Sequence, residues 1–378
     1  MGQVAALAAL AALLPTAAIA GRVAAASPAP AQRPATFTDH VVLNGARLTH
    51  PTPKGPKALS QPDDITDLGG HLFVGFQNGV GPQGQPSPTG NLDSTIVEVT
   101  GTGHAVHQWD LVGKCDGLTA DPATGRVIAT VNEDAHSSFY SIDPSGAATH
   151  YRYTRPLPSH GGTDAVSFFH GLMLISASAP GTTGKAAPQP SYPAVYEARL
   201  DPGTRQVDFH GLFYDTAGVT VANAEGQGSR GHLGLTDPDS NEVVPSWSPR
   251  FAGDFLLTSQ GDKEQIYVEH PGVRHQQKLW LLRLSDSVDD TAWASTSSGA
   301  IYTTDNGRDT INRITGPFQR GQVYSAVTPC DANGAPSTCP GPGFPPDYLG
   351  RLDLRTGRLT RVRVSGPGVA PQGMLFQR

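Results

Sequence analysis

The chain has 378 residues and a formal net charge of −6 with no basic cluster, which argues against nucleic acid as a partner. A chain of this length can bury enough core to fold without metal or disulfides. Its 44 Gly and 33 Pro spread turns along the whole sequence, and runs with apolar residues at helical spacing are hard to find, so an all-β fold is expected.

The first element is VAALAALAALLPTAAIA, residues 4–20, followed by small-residue cleavage candidates at Ala18-Ile19-Ala20 and Ala24-Ala25-Ala26. This is the build of a secretory signal, assigned to residues 1–26, although no Lys or Arg precedes the apolar run. The alternative, an uncleaved anchor, is disfavoured because the run is short for a bilayer core of about 30 Å. Residues 27–36, SPAPAQRPAT, read as a Pro/Ala linker, and residues 37–378 as one domain. The protein is expected to be secreted, free of the membrane after cleavage, and monomeric.

From residue 60 onward one phrase recurs: an Asp, a short apolar strand, a turn and a second strand. It stands at PDDITDLGGHLFVGFQ, CDGLTADPATGRVIATV, TDAVSFFHGLMLISAS and VDDTAWASTSSGAIYTTD, with weaker copies at DPDSNEVVP and APQGMLFQ. The opening polar residues are Asp63, Asp116, Asp164, Asn241, Asp289 and Gln372, in steps of about 50 residues apart from two longer ones. The longer steps hold TVANAEGQGSRGHLG and the Cys330–Cys339 loop with GPGFPP, both read as insertions. A unit of that size with four short strands is a propeller blade. Six blades fit best, with five or seven open because QVYSAVTP could be an outer strand or the start of another unit. The last strand, GMLFQR, needs completing by HVVLNGARLTH near residues 40–50, which would close the ring with strands from both ends of the chain.

GAIYTTDNGRDTINRITG and DGLTADPATGRVIAT resemble the blades of NHL and gluconolactonase-like six-bladed propellers. The resemblance covers about residues 60–378 and implies a propeller and, as one activity, an extracellular metal-dependent hydrolase or lyase. The family's metal ligands do not carry over: Gln61-Pro62-Asp63 stands in place of Glu-Gly-Pro, Pro-Asn-Gly is absent, and Val288-Asp289-Asp290 stands at the late Asp-Gly. DPDSN at 237–241 opens like a calcium loop, but Glu242 replaces its turn Gly and Ser248 its bidentate Glu. It therefore reads as a turn.

In a propeller the first strand of each blade lines the channel, so the opening residues Asp63, Asp116, Asp164, Asn241, Asp289 and Gln372 are expected to form a polar ring at its mouth. Each Asp could cap its own turn. Alternatively Asp63, Asp116, Asp164 and Asp289 could hold a divalent cation such as Ca²⁺, or keep one carboxyl protonated as an acid or base. Catalytic candidates are Asp116, Asp164 and His160, which sits four residues before Asp164. The expected function is binding of a small-molecule or protein ligand, with the hydrolase or lyase second. Cys330 and Cys339 are expected to pair, and Cys115 to be a buried, inert thiol.

Overall fold

The apolar runs of the sequence form strands, and most strands pair with the next one in the chain across a tight turn. The structure is a computed structural model that describes residues 36–158, 161–178, 191–273, 275–337, 339 and 347–378. The expected leader, all of the linker but Thr36, His160 and the GPGFPP segment at 341–346 lie outside the described residues. Among those residues there is no α-helix.

The strands arrange as a β-propeller built of four-stranded antiparallel units. The first unit runs from Pro62–Leu68 through His71–Phe76 and Asp93–Thr100 to Ala105–Val112. The second comprises Cys115–Asp121, Arg126–Val131, Ser138–Ile142 and Ala148–Tyr153. The third comprises Val166–Phe169, Leu172–Ser176, Pro193–Asp201 and Gln206–Tyr214. The fourth holds Pro238–Val243, Phe255–Ser259, Glu264–Glu269 and Lys278–Arg283. On its outer edge lies Gly218–Val221, parallel to Lys278–Arg283 and hairpinned with Arg230–His232, so the Gly-rich insertion becomes an added edge.

The fifth and sixth units interleave. Val288–Trp293 pairs with Val323–Val327, then Tyr348–Asp353 and Arg358–Arg361 follow outward. The sixth unit has Met374–Gln377 innermost, then Ala300–Asp305 and Thr310–Thr315, with Phe37–Asn44 outside. This corrects the sequence reading of VDDTAW and AIYTTD as one hairpin, and it makes QVYSAVTP a second strand. The reason is local crowding that only glycine allows. A Cβ on Gly299 would stand 2.3 Å from the Phe376 ring and 2.6 Å from the Gln377 carbonyl oxygen, so the chain can settle against the C-terminal strand there. Ile301 and Tyr302 then pair with Phe376 and Leu375. Phe37–Asn44 and Met374–Gln377 thus meet in one sheet.

The core is divided among the seams between successive units. Ile65, Val74 and Val97 of the first unit pack on Tyr302 and Ile311 of the sixth. Phe73, Ile96 and Leu111 meet Leu118, Val127 and Ala129 of the second. Ile128, Phe139 and Tyr151 meet Val166, Ile175 and Tyr196 of the third. Leu174, Val195 and Phe213 meet Phe255, Leu257 and Ile266 of the fourth. Leu256, Tyr267 and Leu282 meet Val323, Val327 and Leu352 of the fifth. Tyr324, Ala326 and Leu349 meet Ile301, Ile314 and Phe37 of the sixth. The second strand of each unit therefore buries side chains on both faces, which explains its continuous apolar run.

Cys330 and Cys339 are disulfide-bonded, with Cα atoms 5.3 Å apart, and Cys115 is a buried free thiol. The disulfide loop docks on the fourth unit through Asn333, whose N–H donates to the Gly261 carbonyl (2.8 Å) and whose Nδ2 donates to Thr236 Oγ1 (2.8 Å). Replacing both cysteines by Ser is expected to lower stability by about 2–3 kcal/mol while the propeller still folds. Denaturant titration measures the loss. Free-thiol titration of denatured, unreduced protein should find Cys115 alone.

Candidate functional site

Four of the first strands open on a β-bulge. The pairing skips Asp63-Asp64 between Pro62 and Ile65, and Asp116-Gly117 between Cys115 and Leu118. It likewise skips Asp239-Ser240 between Pro238 and Asn241, and Asp289-Asp290 between Val288 and Thr291. A bulge breaks the alternation of a strand and re-aims the side chains it carries. In the other two units Asp164-Ala165 and Gln372-Gly373 hold the same place, fixed by Asp164 N–H on the Ser176 carbonyl (3.0 Å) and Gln372 N–H on that of Thr304 (3.1 Å).

Asp63, Asp116, Asp164, Asp239 and Asp289 consequently line one cavity of about 370 Å³ between the first strands. Asp239 stands where the sequence reading put Asn241. Asn241 lies two residues further along, on the ladder itself, and its Nδ2 donates to the Ala165 carbonyl (2.6 Å) and Ser176 Oγ (2.7 Å), tying the fourth unit to the third. It still lines the cavity. Gln372 is buried, with Nε2 3.5 Å from Asp347, and is not among the lining residues.

The second bulge position binds the units together. Asp64 accepts from its neighbour Ile65 N–H (2.7 Å) and from Leu118 N–H of the second unit (2.6 Å). Asp290 accepts from Thr291 N–H (2.6 Å) and from Met374 N–H of the sixth (2.5 Å). These bonds satisfy backbone donors that would otherwise face a carboxyl-lined space. Where the second position is Gly117, an added Cβ would meet the Asp164 carbonyl at 2.3 Å, so the side chain is absent for want of room.

One ammonium group serves the second unit's carboxylate. Lys114 Nζ lies 2.8 Å from Asp116 Oδ1 and pairs with the Glu133 carboxylate, while Gln77 Nε2 donates to Asp116 Oδ1 at 2.8 Å. Cys115 pairs across the hairpin with Val131, and Asn132 N–H bonds the Lys114 carbonyl (2.7 Å), which sets Lys114 beside Glu133. Lys114 and Glu133 both lie in KCDGLTADPATGRVIATVNED, and antiparallel pairing of its two strands was the signal that could have joined them.

Burial raises every ring carboxyl. Asp63 is pushed to about 6, chiefly by burial and against the pull of Lys114. Asp116 and Asp164 are pushed well up by burial and then by Glu133. Asp239 rises well above the ordinary range through burial and then Asp164 and Asp289, and Asp289 through burial and then Asp63. Asp290 is raised to about 7 by burial, even with its two N–H donors. Asp164 and Asp239 lie close enough to interact, and after burial the charge of Asp164 is the largest influence that raises the Asp239 carboxyl. Three buried atoms on the cavity wall have no hydrogen-bond partner among the described residues: Asp116 Oδ2, Asn241 Oδ1 and Ser167 Oγ.

No group of three or more His, Cys, Asp or Glu side chains that could hold a metal ion occurs among the described residues. Asp116 is instead engaged by Lys114 and Gln77, and with no such group among them the residues present do not fit the metal centre that a lactonase-like propeller implies. Burial, and next the charge of Asp116, push the Cys115 thiol well up, away from the reactive thiolate. His160 lies outside the described residues.

No protein-family model matches the chain, and no curated protein matches it. Among solved structures, the chain is similar to a periplasmic gluconolactonase of Pseudomonas aeruginosa, with 11% identity over 91% of this chain and 99% of that one, at a TM-score of 0.45. A streptogramin B lyase aligns with 12% identity over 90% and 91% of the two chains, at 0.43. A protein of unknown function from Bacteroides thetaiotaomicron aligns with 12% identity over 90% and 69%, at 0.45. None of these carries a residue assignment over to this chain.

Proposed function

We propose that the protein is an exported, monomeric propeller of six blades that binds a small cation bearing N–H donors in its carboxylate-lined channel. The observation that carries this is the cavity wall: five Asp carboxyls line it, and Asp116 Oδ2 and Asn241 Oδ1 have no donor among the described residues. A buried acceptor without a donor costs about 1–3 kcal/mol, which a ligand N–H would recover. An amine or guanidine that displaces the ring's protons answers both the charge and the geometry.

Calorimetry with arginine amide and, separately, with calcium chloride tests the proposal. Arginine amide is expected to bind with release of protons to the buffer, and Asp116→Asn to weaken it about tenfold, a loss of about 1.4 kcal/mol. Chelator should leave that binding unchanged. Binding of neither arginine amide nor a simple amine would overturn the proposal.

A second reading, an extracellular hydrolase or lyase, has one observation in its favour. Asp164 and Asp239 are two interacting buried carboxyls on the wall of one cavity, an arrangement that lets one act as acid and the other as base. Hydrolysis of a simple lactone that Asp164→Asn and Asp239→Asn each abolish would favour this reading over the first.

A further inference from the structure

A second cavity, of about 1040 Å³, opens between the third and fourth units, at the opposite end of the Val166–Phe169 strand from Asp164. Its wall combines aromatic rings, Phe169, Phe251 and Trp280, with the carboxylates Glu197, Asp254 and Glu269. It differs in kind from the channel, whose lining contains a single aromatic residue, Phe168.

The cations near this wall already have partners, and Glu269 and Glu197 of the wall are two of those partners. Arg250 lies over the Phe251 ring, 4.5 Å from its centroid, and its guanidinium donates to the carbonyls of Leu354 and Ala222. Lys278 pairs with Glu269 Oε2 at 3.1 Å, and Trp280 Nε1 donates to Glu269 Oε1 at 2.7 Å, which fixes the plane of the indole. His210 lies 3.3 Å from Glu197. Asp254 is half-buried, and no hydrogen bond or ion pair of its carboxylate occurs among the described residues. Burial and then the neighbouring Glu269 push that carboxyl up to about 6, so a cation entering the cleft would relieve a standing electrostatic cost.

Phe251 lines this cleft with φ of 58°, in the left-handed region where Gly or Asn is cheaper and a bulky ring is an outlier. Phe251 is held there by stacking on Tyr267, with ring centroids 3.8 Å apart.

We infer that this cleft binds an organic ammonium ion without N–H donors, of the quaternary type. Such an ion is weakly hydrated, is attracted by the face of an indole, and needs carboxylates nearby rather than hydrogen-bond acceptors aimed at it. The inference does not depend on the channel proposal.

Choline chloride is the probe, titrated into the full chain against sodium chloride of equal ionic strength and followed by calorimetry and tryptophan fluorescence. Saturable binding with a fluorescence change is expected. Trp280→Leu should remove that change and weaken binding about tenfold, and the isosteric Asp254→Asn should weaken it by a similar factor. Asp116→Asn, in the channel, should leave choline binding as it was. Thermal melts of each variant show whether it folds, and Asp254→Asn keeps the test decisive if Trp280→Leu does not. Absence of saturable choline binding, or binding that both cleft variants leave unchanged, would overturn the inference.

Discussion

A chain that begins at residue 46, without Phe37–Asn44, is expected to lose the cooperative fold altogether. That strand is the outer member of the sixth unit, paired to Thr310–Thr315, and it brings Phe37 and Leu43 into two different seams. Phe37 packs edge-on to Phe318 and Tyr324 at 5.0 and 5.7 Å, and Gly316 is small because a Cβ there would stand 2.2 Å from the Phe37 ring. Losing such a side chain costs about 3–5 kcal/mol and Leu43 about 2–5. The buried Asp39, which accepts from Asn312 Nδ2 at 2.8 Å, is lost with them and leaves a buried donor unpaired. Together these approach the whole stability of a typical domain, about 5–15 kcal/mol. Deletion also bares the edge of Thr310–Thr315 for association. Circular dichroism and thermal melts of the shortened chain check this, with Phe37→Ala as a graded intermediate some 3–5 kcal/mol weaker. A shortened chain that melts cooperatively near the parent temperature would mean the ring does not rely on that closure.

The architecture was legible in the sequence because each unit repeats a local phrase: strand, tight turn, strand, with an Asp ahead of it. Asp63, Asp116, Asp164 and Asp289 could be aligned for that reason. Asp239 was missed because its strand, PDSNEV, is polar throughout and starts at a proline, so no apolar alternation marks it. The eye moves on to Asn241 and the apolar FLLTS beyond. The crossing between the fifth and sixth units was illegible for a different reason. AIYTTD follows VDDTAW at hairpin distance, and nothing local states that its partner is the C-terminal strand more than 70 residues away. That choice is made by the fit of Gly299 against Phe376, a contact that exists only once the ring is closed. Asp64 and Asp290 stood in plain view beside the aligned Asp residues, but their bonds reach into the next unit, and a single-unit reading gives them no task.

Stability should fall as the pH rises from about 5 to 8, the reverse of what surface-paired carboxylates produce. Asp63 titrates near 6 and Asp237 and Asp290 near 7, while Asp64, Asp116, Asp164, Asp239 and Asp289 lie well above the ordinary carboxyl range, in every case through burial first. The folded chain thus holds more protons than the unfolded one above pH 4, so the slope of unfolding free energy with pH is negative. The contribution is complete below the unfolded carboxyl range and is lost as the pH passes through the folded values, each unit of displacement being worth about 1.4 kcal/mol. Two groups oppose it: burial lowers His50 and His150, which favours the folded state as pH rises through the imidazole range. They are two against eight carboxyls. Asp143, Asp201, Asp208 and Asp353 are lowered, and their effect is confined to acid below about pH 4. Melting temperatures across this range should therefore decline by several degrees, and Asp63→Asn with Asp239→Asn should flatten the decline, since neither side chain holds a backbone N–H in the way Asp64 and Asp290 do. A flat or rising profile, or one that the double variant leaves unchanged, would show that the ring carboxyls titrate like surface groups. A cation that binds the ionised ring acts in the same balance, because it favours the form that high pH creates. The gain in melting temperature on adding arginine amide should then be larger at pH 8 than at pH 5, where the ring already carries its protons.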